Sequence, residues 1–144
     1  MSKSKKATRV GFFLYDPNEN LVLIHKRDDK QKIASPRKWD YFGGSLGPVD
    51  LGDPDYALKR ELFEELGVSV EQEYIKVLAE NDDEKMYFIV YPKYKTSAFK
   101  FDEGAGFAWL SFEEALGLFN EDETKSLITP RANDYLKTMK GKLK

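Results

Sequence analysis

The chain has 144 residues, 41% of them hydrophobic and 14% aromatic, which is enough for a folded core and excludes disorder by composition. Its formal net charge of -2 excludes a global field that draws it to nucleic acid or a membrane surface, so an anionic ligand has to be held by local cations or a metal. It has no cysteine, which excludes disulfide staples, a thiolate nucleophile and thiolate zinc ligands.

Met1 to Lys6 is basic and reads as a flexible N-terminus, with no apolar stretch of signal type after it. Val10 to Tyr15 is too short to span a bilayer, so no membrane role and a cytoplasmic location are expected. Ala7 to Tyr15 predicts a strand, Asp16-Pro17-Asn18-Glu19-Asn20 a turn and Leu21 to His25 a second strand, together a hairpin. Asp28 to Lys38 is polar and reads as a loop, Trp39 to Phe42 as a short strand. Gly43 to Asp53, with four glycines and one proline, reads as another loop.

Asp53-Pro54 opens a helix, since the aspartate accepts from free backbone N–H groups and proline suits the first helical position; Gly67 closes it. Tyr74 to Glu80 and Lys85 to Lys95 read as strands around an Asn-Asp-Asp-Glu turn, and Phe107 to Leu110 as a further short strand. Ser111 caps a helix to about Leu118, with Glu114 at capping-box spacing. Thr129-Pro130 begins a C-terminal helix with Ala132, Leu136 and Met139 among its apolar residues. There is no internal repeat and no regular βαβ alternation, which predicts an α/β sandwich with a mixed sheet.

The informative segment is Arg60-Glu61-Leu62-Phe63-Glu64-Glu65-Leu66-Gly67-Val68. On a helix Leu58, Leu62 and Leu66 form an apolar stripe, and Glu61, Glu64 and Glu65 fall together on an adjacent face. Ala57 lies on that face, which predicts room for something to dock there. Like charges at these spacings destabilise a helix by roughly 0.2–0.5 kcal/mol per pair, and carboxylates near the C-terminus oppose the helix dipole. A hard divalent cation with oxygen ligands resolves that conflict and bridges the carboxylates to substrate phosphates. A solvated acidic face is the bland alternative.

This segment, after the Trp39-Asp40-Tyr41-Phe42-Gly43-Gly44 entry to a loop, resembles the box of the Nudix hydrolase family, MutT-like proteins with an α/β/α sandwich and a mixed β-sheet. Arg60 to Val68 matches the second half of the box at every specified position. The resemblance implies a single Nudix hydrolase domain over residues 1–144. It also implies Mg²⁺-dependent hydrolysis, with Mn²⁺ able to substitute, of a diphosphate bond in a nucleoside diphosphate linked to another moiety. By resemblance Glu61, Glu64 and Glu65 are metal ligands, Arg60 orients the glutamates, and Glu61 or Glu64 takes a proton from the attacking water. Glu103, in Glu103-Gly104-Ala105-Gly106-Phe107-Ala108-Trp109, resembles the late-loop glutamate that several members use for metal binding or water activation.

The first half of the box departs from the pattern. Counting from Gly44 puts its acid at Asp50, and counting back from Arg60 puts it at Gly52; Asp53 competes, with the helix cap its better role. The displaced spacing predicts that Asp50 matters less than Glu64. Lys26, Arg27, Arg37 and Lys38 read singly as solvated cations with phosphate binding as the alternative, Trp39 as core or hinge against base stacking, and Asn133 as helix-surface polarity. The expected partner is a small nucleotide-like diphosphate, with no DNA or RNA surface and a homodimer left open. Two other functions stay in view. One is a non-catalytic Nudix-like nucleotide-binding domain, favoured by the altered first acid. The other is an enzyme like the isopentenyl diphosphate isomerases, whose cysteine this chain lacks.

Overall fold

The protein is described from a computed structural model, which covers residues 7–26, 38–92 and 106–143. The basic N-terminus, most of the loop before Trp39, the end of the strand expected to reach Lys95, and Glu103 lie outside the described residues.

A strand buried on both faces reads as a continuous apolar run rather than an alternation. Strand β1 (Arg9–Asp16) is of this kind: Val10, Phe12 and Leu14 enter one core cluster and Phe13 the other. It lies at the centre of a mixed sheet that has seven strands among the described residues. β2 (Leu21–Lys26) pairs antiparallel with the end of β1, as the hairpin signal predicts, and β4 (Phe42–Ser45) pairs antiparallel with its beginning. β3 (Trp39–Asp40) pairs with the end of β2, so the chain crosses from β2 to β1 at Tyr41. β5 (Ile75–Glu80) and β6 (Glu84–Val90) form an antiparallel pair, and β6 runs parallel to β1 along its other edge. β7 (Gly106–Ser111) covers the outer edge of β2.

Helix α1 (Pro54–Leu66) packs on one face, and α2 (Phe112–Leu116) with α3 (Pro130–Lys142) on the other, which makes the expected α/β/α sandwich. The caps follow the sequence. Asp53 accepts from Asp55 N at 3.0 Å, and Gly67 closes α1 at φ 71°, where a side chain is strained. Ser111 and Glu114 form a capping box on α2, and Thr129 accepts from Ala132 N on α3. Leu58, Leu62 and Leu66 are each at most 1% exposed, worth about 1.5–3 kcal/mol apiece. The first turn of α1 is tied to the sheet by Asp55, which accepts from the Tyr87 hydroxyl and from Lys85 Nζ.

Two expectations change. Gly43 and Gly44 are strand, not loop: they pair with Gly11 and Val10, and a Cβ on Gly43 would lie 2.2 Å from the Val10 carbonyl oxygen. Glycine's weak strand propensity loses here to a close approach that glycine permits. Ala57 is fully buried in the core beneath α1, so it opens no docking space. No helix among the described residues is long and apolar enough to cross a membrane.

Candidate active site

The candidate site lies where β4, the turn after it and α1 meet. Phe42 is held in a stack, its ring 5.2 Å from that of Phe12 and 4.7 Å from that of His25. Two residues on, Gly44 lies under the carboxylate of Glu61, and a Cβ there would come within 2.3 Å of Glu61 Oε2. Glu61 is therefore turned to the sheet and 8% exposed, while Glu64 on the next turn is exposed and Glu65 is half-buried.

Arg60 joins these elements. Its Nε and Nη2 donate to the two carboxylate oxygens of Asp50 at 2.9 and 2.8 Å, a bidentate pair. Its Nη1 donates to Glu61 Oε2 at 3.3 Å and to Glu64 Oε1 at 3.0 Å, and its Nη2 also to the Ser45 carbonyl at 3.3 Å. Asp50 is 1% exposed and also accepts from Gly47 N at 2.7 Å, closing the short 3₁₀ turn Pro48–Asp50. The like-charge conflict on the helix is thus relieved partly from within the chain, by one guanidinium shared among three carboxylates.

The electrostatics separate the acids. Hydrogen bonds from Arg60 hold the Asp50 carboxyl below the usual carboxylate range although burial opposes them. Burial pushes the Glu61 carboxyl upward, the nearby Arg60 charge resists, and the Glu64 and Asp50 charges push the same way as burial. Arg60 itself is pushed up, chiefly by its bonds to Asp50.

Of the three candidates for the first acid, one meets Arg60. Asp50 pairs with Arg60, Gly52 has no side chain, and Asp53 caps α1. The 3₁₀ turn absorbs the extra residues, so Asp50 reaches Arg60 in spite of the displaced spacing. The signal was present in the sequence as an acid three residues after Gly47, the spacing of a capping box.

The candidate donors Glu61, Glu64 and Glu65 are all carboxylates, which fits a hard cation such as Mg²⁺ rather than a soft one. Among the described residues no three acidic or histidine side chains converge on one point to hold a cation. Glu61 and Glu64 instead share Arg60 Nη1.

Other sequence candidates fall elsewhere. Lys38 donates to the carbonyls of Glu123 and Ser126, so it ties a loop rather than standing as a solvated cation. Trp39 packs half-buried on the α3 side, with backbone bonds to Leu127 and Thr129. Asn133 is 2% exposed and its Oδ1 has no hydrogen-bond partner among the described residues, which corrects the reading of helix-surface polarity. Arg27 and Arg37 lie outside the described residues, as does Glu103.

A family model described as the NUDIX domain matches residues 5–131. Among curated proteins none matches the chain. Solved structures do. A MutT protein from Methanosarcina mazei Go1 is 20% identical with a TM-score of 0.63 over 99% of both chains. A mutT/nudix family protein from Listeria innocua is 15% identical with a TM-score of 0.68, over 99% of this chain and 96% of that one. The E. coli dihydroneopterin triphosphate pyrophosphohydrolase is 16% identical with a TM-score of 0.64, over 92% of this chain and 96% of its own. At these identities the structural likeness establishes the fold alone.

Proposed function

The chain belongs to the Nudix family, whose members generally hydrolyse nucleoside diphosphate derivatives with divalent metal ions, and we propose that it is a Mg²⁺-dependent pyrophosphohydrolase. Its substrate in this reading is a nucleoside diphosphate linked to another moiety, cleaved at the diphosphate by water. The observation that carries the reading is the Arg60 cluster: one guanidinium binds Glu61 and Glu64 of the intact second half of the box and Asp50 from the turn before it.

Glu61, Glu64 and Glu65 would hold the cation, with Glu103 as a further ligand assigned from sequence. Bound there, the metal supplies charge stabilisation for the phosphate oxygens and lowers the cost of forming hydroxide. The chain's own residues do the rest. Arg60 orients Glu61 and Glu64 and is itself anchored by Asp50. Glu61 or Glu64 accepts the proton of the attacking water, and burial pushes the Glu61 carboxyl upward. Gly44 leaves space for the Glu61 carboxylate. A cytoplasmic location and a single domain over residues 1–144 belong to the same reading.

The non-catalytic alternative drew its support from the altered first acid. The bidentate Asp50–Arg60 pair speaks for the catalytic reading, because an aspartate at this position still meets the arginine. The test is release of phosphate or nucleotide from ADP-ribose, sugar nucleotides, dinucleoside polyphosphates and nucleoside triphosphates. Turnover should vanish in chelator and return with Mg²⁺ or Mn²⁺. Folded protein with no turnover on the whole panel in Mg²⁺, or full turnover after verified metal removal, overturns the reading.

A further inference from the structure

We propose that Glu84, on the face of the sheet opposite α1, is a positioning residue for the candidate active site, because it holds β4 near both of its ends. The proposal rests on the functional reading above only for its kinetic consequence.

Glu84 opens β6 and its side chain is 1% exposed. A buried carboxylate is costly unless donors surround it. Here the Tyr41 hydroxyl donates to it at 3.0 Å and the Tyr135 hydroxyl at 2.8 Å. Arg9 Nε and Arg131 Nη1 stand at 3.9 and 3.8 Å. These groups come from β1, from the crossing before β4, from β6 and from α3, so one buried charge ties four parts of the chain together.

Two of those ties lead to β4. Tyr41 immediately precedes Phe42, and its ring is wedged against Gly11, where a Cβ would lie 2.6 Å from the ring. At the other end Arg9 Nη1 donates to Ser45 Oγ at 3.3 Å, and the Ser45 carbonyl accepts from Arg60 Nη2 at 3.3 Å. Between these two anchors lies Gly44, the floor under Glu61. A polar chain therefore runs from Glu84 through Arg9 and Ser45 to Arg60, and a second route runs through Tyr41 along the strand to Gly44. A displacement of about 1 Å in an active site is enough to cost about a hundredfold in rate, so the register of this short strand bears on the site. The remaining ties, through Tyr135 and Arg131, come from α3; the Tyr135 ring also meets the Tyr41 ring edge-on at 5.5 Å and its hydroxyl accepts from Asn81, so removing the Tyr135 hydroxyl while keeping its ring provides the control.

The test follows the Arg60 Nε–Hε group by NMR, since it donates to Asp50 at 2.9 Å, and follows hydrolysis in parallel. The resonance is assigned by its loss in Arg60→Lys. Tyr41→Phe and Arg9→Met remove the two routes to β4. Each should shift this resonance, speed its exchange with solvent and lower kcat about tenfold or more, with KM within about twofold. Tyr135→Phe removes a comparable buried bond to Glu84 and should leave the resonance and kcat unchanged while lowering the unfolding midpoint. Glu84→Gln keeps the acceptor oxygen without the charge and should fall between wild type and Tyr41→Phe. An unmoved Arg60 resonance in both Tyr41→Phe and Arg9→Met overturns the proposal. So does an equal change in Tyr135→Phe, which would make Glu84 a matter of general stability. If the resonance responds as expected but the wild type hydrolyses nothing, the positioning role stands and the hydrolase reading falls.

Discussion

Replacing Gly44 by alanine tests the geometry of the candidate site most directly. The added Cβ would lie 2.3 Å from Glu61 Oε2 and 2.9 Å from its Cδ, where ordinary contact begins at 3.4 Å. The Glu61 carboxylate must therefore retreat by about 1 Å, and a misplacement of that size costs about a hundredfold in rate, or about 2.7 kcal/mol of transition-state stabilisation. Folding should be nearly untouched. Gly44 is not in the left-handed region, the clash is with the end of a side chain that can rotate, and alanine narrows the unfolded ensemble by about 0.4–1 kcal/mol. Gly43→Ala is the contrast: its Cβ would meet the Val10 carbonyl oxygen at 2.2 Å and Gly11 Cα at 2.8 Å, backbone atoms that cannot step aside. That variant should lose about 3 kcal/mol of stability, at the upper end for overpacking. Urea unfolding and steady-state hydrolysis on both variants make the comparison. A folded Gly44→Ala protein with undiminished kcat/KM would refute the placement of Glu61 against Gly44 or its part in the reaction.

Other outcomes follow from the same contacts. Asp50 has a lowered pKa in the fold, so the folded state gives up this proton more readily than the unfolded state does; the stabilisation is complete above the usual value of 3.8 and is lost as pH falls through the lowered one. The stability difference between wild type and Asp50→Asn, followed by urea unfolding, should thus shrink below about pH 4, and a difference independent of pH would contradict the pair with Arg60. Asp50→Asn should also lower kcat/KM as severely as Glu64→Gln, which steady-state kinetics at saturating Mg²⁺ would measure. Asn133→Leu removes a buried oxygen without a partner among the described residues and should raise stability by about 1 kcal/mol; a lowered melting temperature would show that the oxygen is satisfied in solution. Glu103→Gln should mainly lower kcat, and unchanged kcat and KM at saturating metal would assign Glu103 to the solvated surface.

Local chemistry made much of this protein legible before any fold was known. The limits of α1 follow from Asp53-Pro54 and Gly67, and those of α2 and α3 begin at Ser111 and Thr129, because caps are decided by a few neighbouring atoms. The segment from Arg60 to Val68 pointed to the family for the same reason, as a pattern of neighbouring residues running from the last turns of α1 through its cap. Helical spacing gave the glutamates' neighbours but not the direction they face. Only the packing of α1 on β4 turned Glu61 inward to Gly44, left Glu64 exposed and buried Ala57. Asp50, rather than Gly52 or Asp53, became the partner of Arg60 because a 3₁₀ turn took up the extra residues, a choice that spacing alone does not contain. Glu84 drew no notice in the sequence, as one acid in a polar turn, since Tyr41 and Tyr135 lie 43 and 51 residues away along the chain. A buried charge is recognisable only by what surrounds it, and here the surroundings are assembled by β1, β6 and α3 meeting across the sheet.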